Sequence, residues 1–166
     1  MTGTNTAGER EEQRSANAIR CLSIPLVGST LLLPYTAVAE VAEFGEPTRL
    51  TKRPGWLLGL LPWRGITVPM LALEELVGAA VDPSSSAPEK VVVCNTLNGN
   101  PKLPFLAIAA AGIPRLLWVK RETLKEMARS EKREHPAILR HVNTPDGEVI
   151  IPDFDSLEQM LVRLGI

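Results

Sequence analysis

Short apolar runs, each cut off by a turn residue, govern what this chain can fold into. Fourteen prolines and twelve glycines punctuate its 166 residues. Proline fixes φ and carries no N–H, and glycine loosens the backbone, so a run bounded by them rarely reaches the length of a packed helix. Runs of this size suit strands of about five or six residues. The chain is therefore expected to be mainly β, with turn signals every few residues.

The expected elements can be read in order. Ile19 to Val27 and Thr30 to Leu33 form a hairpin around Gly28 and Ser29. Pro34 to Val41 is either a short helical turn or a bend into another strand. Trp56 to Leu61 and Ile66 to Leu71 are strands separated by Arg64-Gly65, and Leu73 to Leu76 is one helical turn. The run 79–90, AAVDPSSSAPEK, is the clearest loop and is expected to divide the chain into two β-rich halves. Val91 to Leu97 and Leu103 to Ala111 form a hairpin around Asn98-Gly99-Asn100-Pro101, and Leu116 to Val119 is a further strand. Arg121 to Glu134 is charged, with Leu124, Met127 and Ala128 on one stripe, and reads as a solvated helix. Ile138 to Val142 and Glu148 to Ile151 make the last hairpin. Asp155, with Glu158 three residues on, is expected to cap a C-terminal helix whose apolar face is Leu157, Met160, Leu161 and Leu164. Two β-rich halves point to two small barrels.

Composition removes several function classes. Eighteen basic residues against nineteen acidic ones give a formal net charge of −1. A nucleic-acid binder needs a basic face and stacking aromatics, yet aromatics are only 4% of the chain. A small-barrel nucleic-acid-binding protein is thus the alternative reading, not the leading one. The first seventeen residues hold no Leu, Ile, Val or Phe, so no secretory signal is legible there. They are expected to form a disordered polar arm, residues 1–17, ahead of a folded unit over 18–166, and the protein is expected to be cytoplasmic without membrane insertion. The run 103–114 is broken by Pro104, Gly112 and Pro114 and is too short to span a bilayer.

Catalytic patterns are not found. His135 and His141 are six residues apart, not at the helical spacing of a metal pair. No nucleophile elbow and no glycine-rich phosphate loop occurs. Glu74 and Glu75 are adjacent on a helical turn and point apart, which makes a poor acid–base pair. Cys21 and Cys94 sit in apolar runs. A disulfide between them stays open, but buried Cys behaves as a small hydrophobe, and two buried free thiols are the simpler expectation. No enzyme activity, cofactor or metal is therefore expected. Trp56 and Trp63 bracket the run LLGLLP. Trp56 divides evenly between core anchor and contact residue. Trp63, beside Arg64 at a turn, is expected to be exposed and to suit a binding hot spot.

The stretch Gly55 to Gly78, GWLLGLLPWRGITVPMLALEELVG, resembles the CheW-like chemotaxis coupling domain. The matching residues are Leu57-Leu58, Gly59, Arg64-Gly65, Val68-Pro69 and Leu73. Val38, Glu40 and Val41 match the "V-x-E-I" strand of the family's opening region, and Glu148 to Leu161 resembles its closing strand and helix. The resemblance runs from Ala18 to Gly165. It departs at Pro62-Trp63, where the family has "N-L", and in Phe105 to Ile113, which lacks the family's aspartate. A divergent member fits best, such as those of type IV pilus chemosensory systems serving twitching motility.

The resemblance implies two five-stranded SH3-like barrels sharing a hydrophobic core, with a short C-terminal helix. It implies a non-catalytic adaptor with two partners, the cytoplasmic tip of a methyl-accepting chemoreceptor and the regulatory domain of a CheA-type histidine kinase. It places Glu40, Gly59, Arg64 and Gly65 in a protein-binding region, which Trp63 is expected to join because of its position beside Arg64 at the turn. Arg64 suits such a role chemically, because guanidinium is flat, weakly hydrated and rich in donors. The competing reading for Arg64 is a surface salt bridge worth under about 1 kcal/mol.

Overall fold

The computed structural model describes residues 18–78, 87–126 and 135–166. The expected arm over 1–17 and most of the loop over 79–90 lie outside the described residues. β1 (Ala18–Leu26) and β2 (Ser29–Pro34) form the first hairpin. A 3₁₀ turn at Tyr35–Ala37 resolves the ambiguous Pro34 to Val41 segment and leads into β3 (Val38–Glu43). β4 (Leu57–Trp63) and β5 (Ile66–Leu71) form the second hairpin, followed by the single turn α1 (Leu73–Leu76). β6 (Lys90–Asn95) pairs antiparallel with β7 (Phe105–Ala110). Then come β8 (Arg115–Lys120), a 3₁₀ turn at Arg121–Thr123, β9 (Lys125–Glu126), the hairpin of β10 (Ile138–Thr144) and β11 (Gly147–Pro152), and α2 (Phe154–Arg163).

The strands assemble into two sheets, ordered β8-β1-β2-β11-β10-β9 and β3-β6-β7-β5-β4. The mainly β fold with a C-terminal helix is as expected. The short β9 makes the first sheet six-stranded, and neither sheet closes into a barrel through a continuous ladder. Both nonetheless curl. Strands lie about 4.8 Å apart, so the edges of a flat six-stranded sheet would be about 24 Å apart. Only Arg121–Leu124 separates β8 at one edge from β9 at the other, and five residue steps reach at most about 18 Å.

The chain enters the second sheet at β3 and leaves it after β7. The segment 79–90 therefore joins β5 to β6 within one sheet, and it does not divide the two β units as its composition suggested. A Pro/Ser-rich stretch marks a break in local structure. Sheet membership is decided by long-range pairs such as the parallel contacts Leu31 with Ile150 and Met70 with Ala107.

Burial follows from the curl. Along β6, Val92 and Cys94 face the core between the sheets, whereas Val91 and Val93 face the inside of their own curled sheet. Along β7, Leu106, Ile108 and Ala110 take the first face, and Ala107 and Ala109 the second. Both faces of these strands are covered, so they read as unbroken apolar runs. The first sheet supplies Leu22, Ile24, Leu31, Leu33 and Ile150 to the shared core and packs Cys21, Leu32, Val142 and Val149 inside its own curl. Leu157 and Leu161 of α2 seal the shared core, while Leu164 lies past the helix end and is exposed.

Three local readings change. Asp153, not Asp155, caps α2, its carboxylate accepting from the Ser156 N–H at 3.1 Å. Glu158 is no capping-box partner. It is 3% exposed and accepts the Leu97 N–H at 2.6 Å, tying the helix to the β6–β7 connection. The solvated helix expected from Arg121 is replaced by a 3₁₀ turn and an edge strand that pairs with Val142 and Asn143, while 127–134 lie outside the described residues. An exposed edge strand and a solvated helix carry similar charge, and the cross-strand partner decides between them. The β6–β7 hairpin is as expected, but it spans Thr96 to Pro104 instead of a four-residue turn, with the Thr96 hydroxyl donating to the Leu103 carbonyl at 2.6 Å. No helix among the described residues is long and apolar enough to cross a membrane.

Gly59 sits at a register shift in β4 that turns Leu57 toward the shared core and Leu61 into the curl. Its φ is 149°, and a Cβ there would lie 2.8 Å from the Thr48 carbonyl carbon. The close approach serves a paired bridge, in which the Thr48 N–H donates to the Leu60 carbonyl at 2.8 Å and the Leu60 N–H returns to Thr48 at 2.9 Å. Gly59→Ala is expected to cost about 2–3 kcal/mol through backbone strain. Urea unfolding measures this, and an unchanged midpoint would show that the bridge yields without cost.

Candidate functional site

The two edge strands of the second sheet meet at one rim. Four strand spacings would hold β3 and β4 about 19 Å apart in a flat sheet. Yet Trp63, at the end of β4, donates its indole N–H to the Glu40 carboxylate of β3 at 3.0 Å. Curling brings the edges together, and side chains join them beyond the single Thr48–Leu60 bridge. The same Glu40 oxygen receives the Arg64 guanidinium at 2.8 Å.

The hairpin at this rim is tight. Trp63 pairs with Ile66, leaving Arg64-Gly65 as a two-residue loop. Arg64 has φ 47° and Gly65 has φ 81°, the doubly positive pattern of a type I′ turn that normally selects Asn, Asp or Gly at its first position. An L-residue with a Cβ costs roughly 1–2 kcal/mol there. The Arg64 side chain is 69% exposed and lies over the Trp63 ring at 5.2 Å. Trp63 is in turn set edge-on against Phe105, ring centres 4.9 Å apart. Beside this cluster runs a groove of about 480 Å³ lined by Leu50, Ile66, Phe105 and the C-terminal Ile166.

Four of the five expected site residues thus come together: Glu40, Trp63, Arg64 and Gly65. Gly59 does not. It is buried and its close neighbour is the backbone of Thr48, within its own chain. Trp63 is half-buried instead of exposed, because its N–H is taken by Glu40 and its ring packs on the inside of the curl. Trp56 packs against the shared core.

A second exposed cluster escaped the sequence. Arg20 lies 4.7 Å from the Tyr35 ring and 5.7 Å from the Trp118 ring, with Trp118 58% exposed and paired directly opposite Arg20. Tryptophan, tyrosine and arginine are the residues enriched at binding hot spots. The signal was present as Trp118 in an otherwise apolar strand, but its neighbours Arg20 and Tyr35 are distant in sequence.

The two histidines are engaged locally. The Ala137 N–H donates to the His135 ring at 3.1 Å, and the His141 ring faces Glu148 at 3.2 Å. Both cysteines are buried free thiols; burial raises Cys21 and pushes Cys94 up to about 12. Among the described residues no group of three or more His, Cys, Asp or Glu is placed to hold a metal.

Glu74 is buried on α1 while Glu75 is exposed, so the two carboxylates point apart. One Glu74 oxygen has no partner, and burial, with Glu75 adding repulsion, raises its pKa above the usual carboxylate range. Folding then favours the protonated form, so the Glu74 contribution is most favourable below the unfolded pKa and is lost as pH rises through the folded one. Glu74→Gln is expected to raise the melting temperature at pH 7 and to leave it nearly unchanged at pH 4. Thermal melts of both proteins across that range test this, and a constant difference would mean that Glu74 does not titrate abnormally.

The profile of the CheW-like domain matches residues 20–160. Among solved structures, the scaffolding protein TtCheW from Thermoanaerobacter tengcongensis is similar in fold, with a TM-score of 0.67 at 14% identity over 82% of this chain and 84% of that one. No curated protein matches the sequence.

Proposed function

The chain belongs to the CheW-like domain family, and from that premise we propose that it couples the cytoplasmic tips of chemoreceptors to the regulatory domain of a CheA-type histidine kinase. Membership in this family makes it a non-catalytic scaffold of chemotaxis signalling. In the proposed role it is a cytoplasmic protein recruited to receptor arrays at the membrane. Its output is motility, with the divergent Pro62-Trp63 motif favouring pilus-driven over flagellar movement.

The observation that carries this reading is Arg64. Asn or Gly would relieve its backbone, but neither would present a guanidinium at the tip of a rigid hairpin. Strain kept at an exposed position is a mark of function. The turn is already folded, so a partner spends little on ordering it. The Arg64 donors not used by Glu40 suit a carboxylate on the partner. The groove beside them offers Thr51, Thr67 and Lys102 together with Leu50, Ile66 and Phe105, which suits a segment of mixed polar and apolar side chains. The cluster of Arg20, Tyr35 and Trp118 is a separate surface and is proposed as the second contact that an adaptor needs.

The immobilised protein is expected to retain both a receptor cytoplasmic fragment and the kinase regulatory domain. A folded sample that retains neither overturns the reading. Arg64→Asn suits the turn while removing the guanidinium. It is expected to weaken one of the two contacts about tenfold, roughly 1.4 kcal/mol, with a melting temperature within a few degrees of the parent. A large loss of stability would make Arg64 a structural residue.

A further inference from the structure

We propose that Trp63 is a positioning residue, which fixes Glu40 and through it Arg64, and that it forms no part of the partner contact itself. This rests on the reading of the Arg64 turn as a binding surface and specifies how that surface is held.

An exposed ion pair between two flexible side chains fixes little geometry, because water and salt compete for both groups. Arg64 is such a group, with its side chain 69% exposed. Its partner Glu40 is different. Its side chain is only 32% exposed, and the oxygen that meets Arg64 also accepts the Trp63 indole N–H. A hydrogen bond to a carboxylate is stronger than one between neutral groups and is directional. The donor is itself immobile, since the indole is set against Phe105 of β7 and packs with the interior of the second sheet. The order of constraint therefore runs outward: Phe105 holds Trp63, Trp63 holds the Glu40 oxygen, and that oxygen orients the guanidinium. The ring beneath Arg64 at 5.2 Å adds a second restraint on the cation.

This arrangement assigns the indole N–H a task that an aliphatic residue before Arg-Gly cannot perform. It also joins the two edges of the curled sheet at the point where the turn projects. A partner would meet the Arg64 edge that faces away from Glu40, while the indole stays behind it.

Trp63→Phe keeps an aromatic ring against Phe105 and under Arg64 but removes the N–H. The test compares the parent, Trp63→Phe, Glu40→Gln and the double variant. It uses binding to the regulatory domain of the CheA-type kinase from the same genome and to a receptor cytoplasmic fragment, and the NMR signals of the Arg64 guanidinium in the free protein. Trp63→Phe is expected to preserve the melting temperature within a few degrees, to average the Arg64 guanidinium signals, and to weaken one contact about three- to tenfold. Glu40→Gln is expected to add no further loss once Trp63→Phe is in place. Unchanged guanidinium signals in Trp63→Phe overturn the proposal. So does a loss of binding that adds in full to that of Glu40→Gln, which would place the indole in the contact. Arg64→Asn separates the two levels. If that variant binds both partners normally, the binding-surface reading fails, while the guanidinium signals still decide whether Trp63 holds Arg64.

Discussion

Double-sided burial is the constraint on which this structure depends. β6 and β7 carry apolar side chains on both faces, so neither can rest in a single flat sheet with one wet side. Each face needs its own cover. The second sheet meets this by curling over Val91, Val93, Ala107 and Ala109 and by turning Val92, Cys94, Leu106 and Ile108 toward the first sheet. The first sheet answers with Ile24, Leu31, Leu33 and Ile150. Neither sheet has a complete core without the other, which explains why the chain crosses between them twice.

Curling has a further consequence at the rim. Rolling a five-stranded sheet this far brings its two edges within reach, and an edge left open would expose unpaired backbone groups. Here the gap is spanned by one backbone bridge at Thr48 and Leu60 and by the shared carboxylate of Glu40. The same contacts that hold the edges together aim the Arg64 turn outward. The fold and the proposed recognition surface thus draw on one set of side chains, and in that proposal the Trp63-Arg64-Gly65 string is under two demands at once.

The two surfaces differ in how they are built. The Glu40–Trp63–Arg64 cluster is held by directional bonds around one oxygen atom, which suits recognition of a charged group. The Arg20–Tyr35–Trp118 cluster is a stack of flat groups across β1, β8 and the turn after β2, with wide exposed faces. A scaffold that meets two partners is served by surfaces of different chemistry, since each then discriminates against the other partner.

Much of the local structure was legible from residue order alone. Strand lengths followed from the spacing of Pro and Gly, because those residues act on their own φ and their own hydrogen bonds. The β4–β5 hairpin and its Arg-Gly turn were visible for the same reason, as was the helical turn at Leu73. Misreadings fell where a distant partner decides. Asp153 and Asp155 are alike as caps until the helix is placed, and Glu158 resembled a capping residue because Leu97 lies sixty-one positions away. Residues 121–126 carry charge that suits either a helix or an edge strand, and only β10 beside Lys125 and Glu126 decides between them there. Gly59 carried a family match that its burial explains as packing against Thr48. What the sequence by itself determined was the set of strands and the residue types offered at the turn. Only the tertiary structure decided which edges meet and which donors converge on Glu40, because curvature and sheet partnership arise from packing between residues that are far apart in the chain.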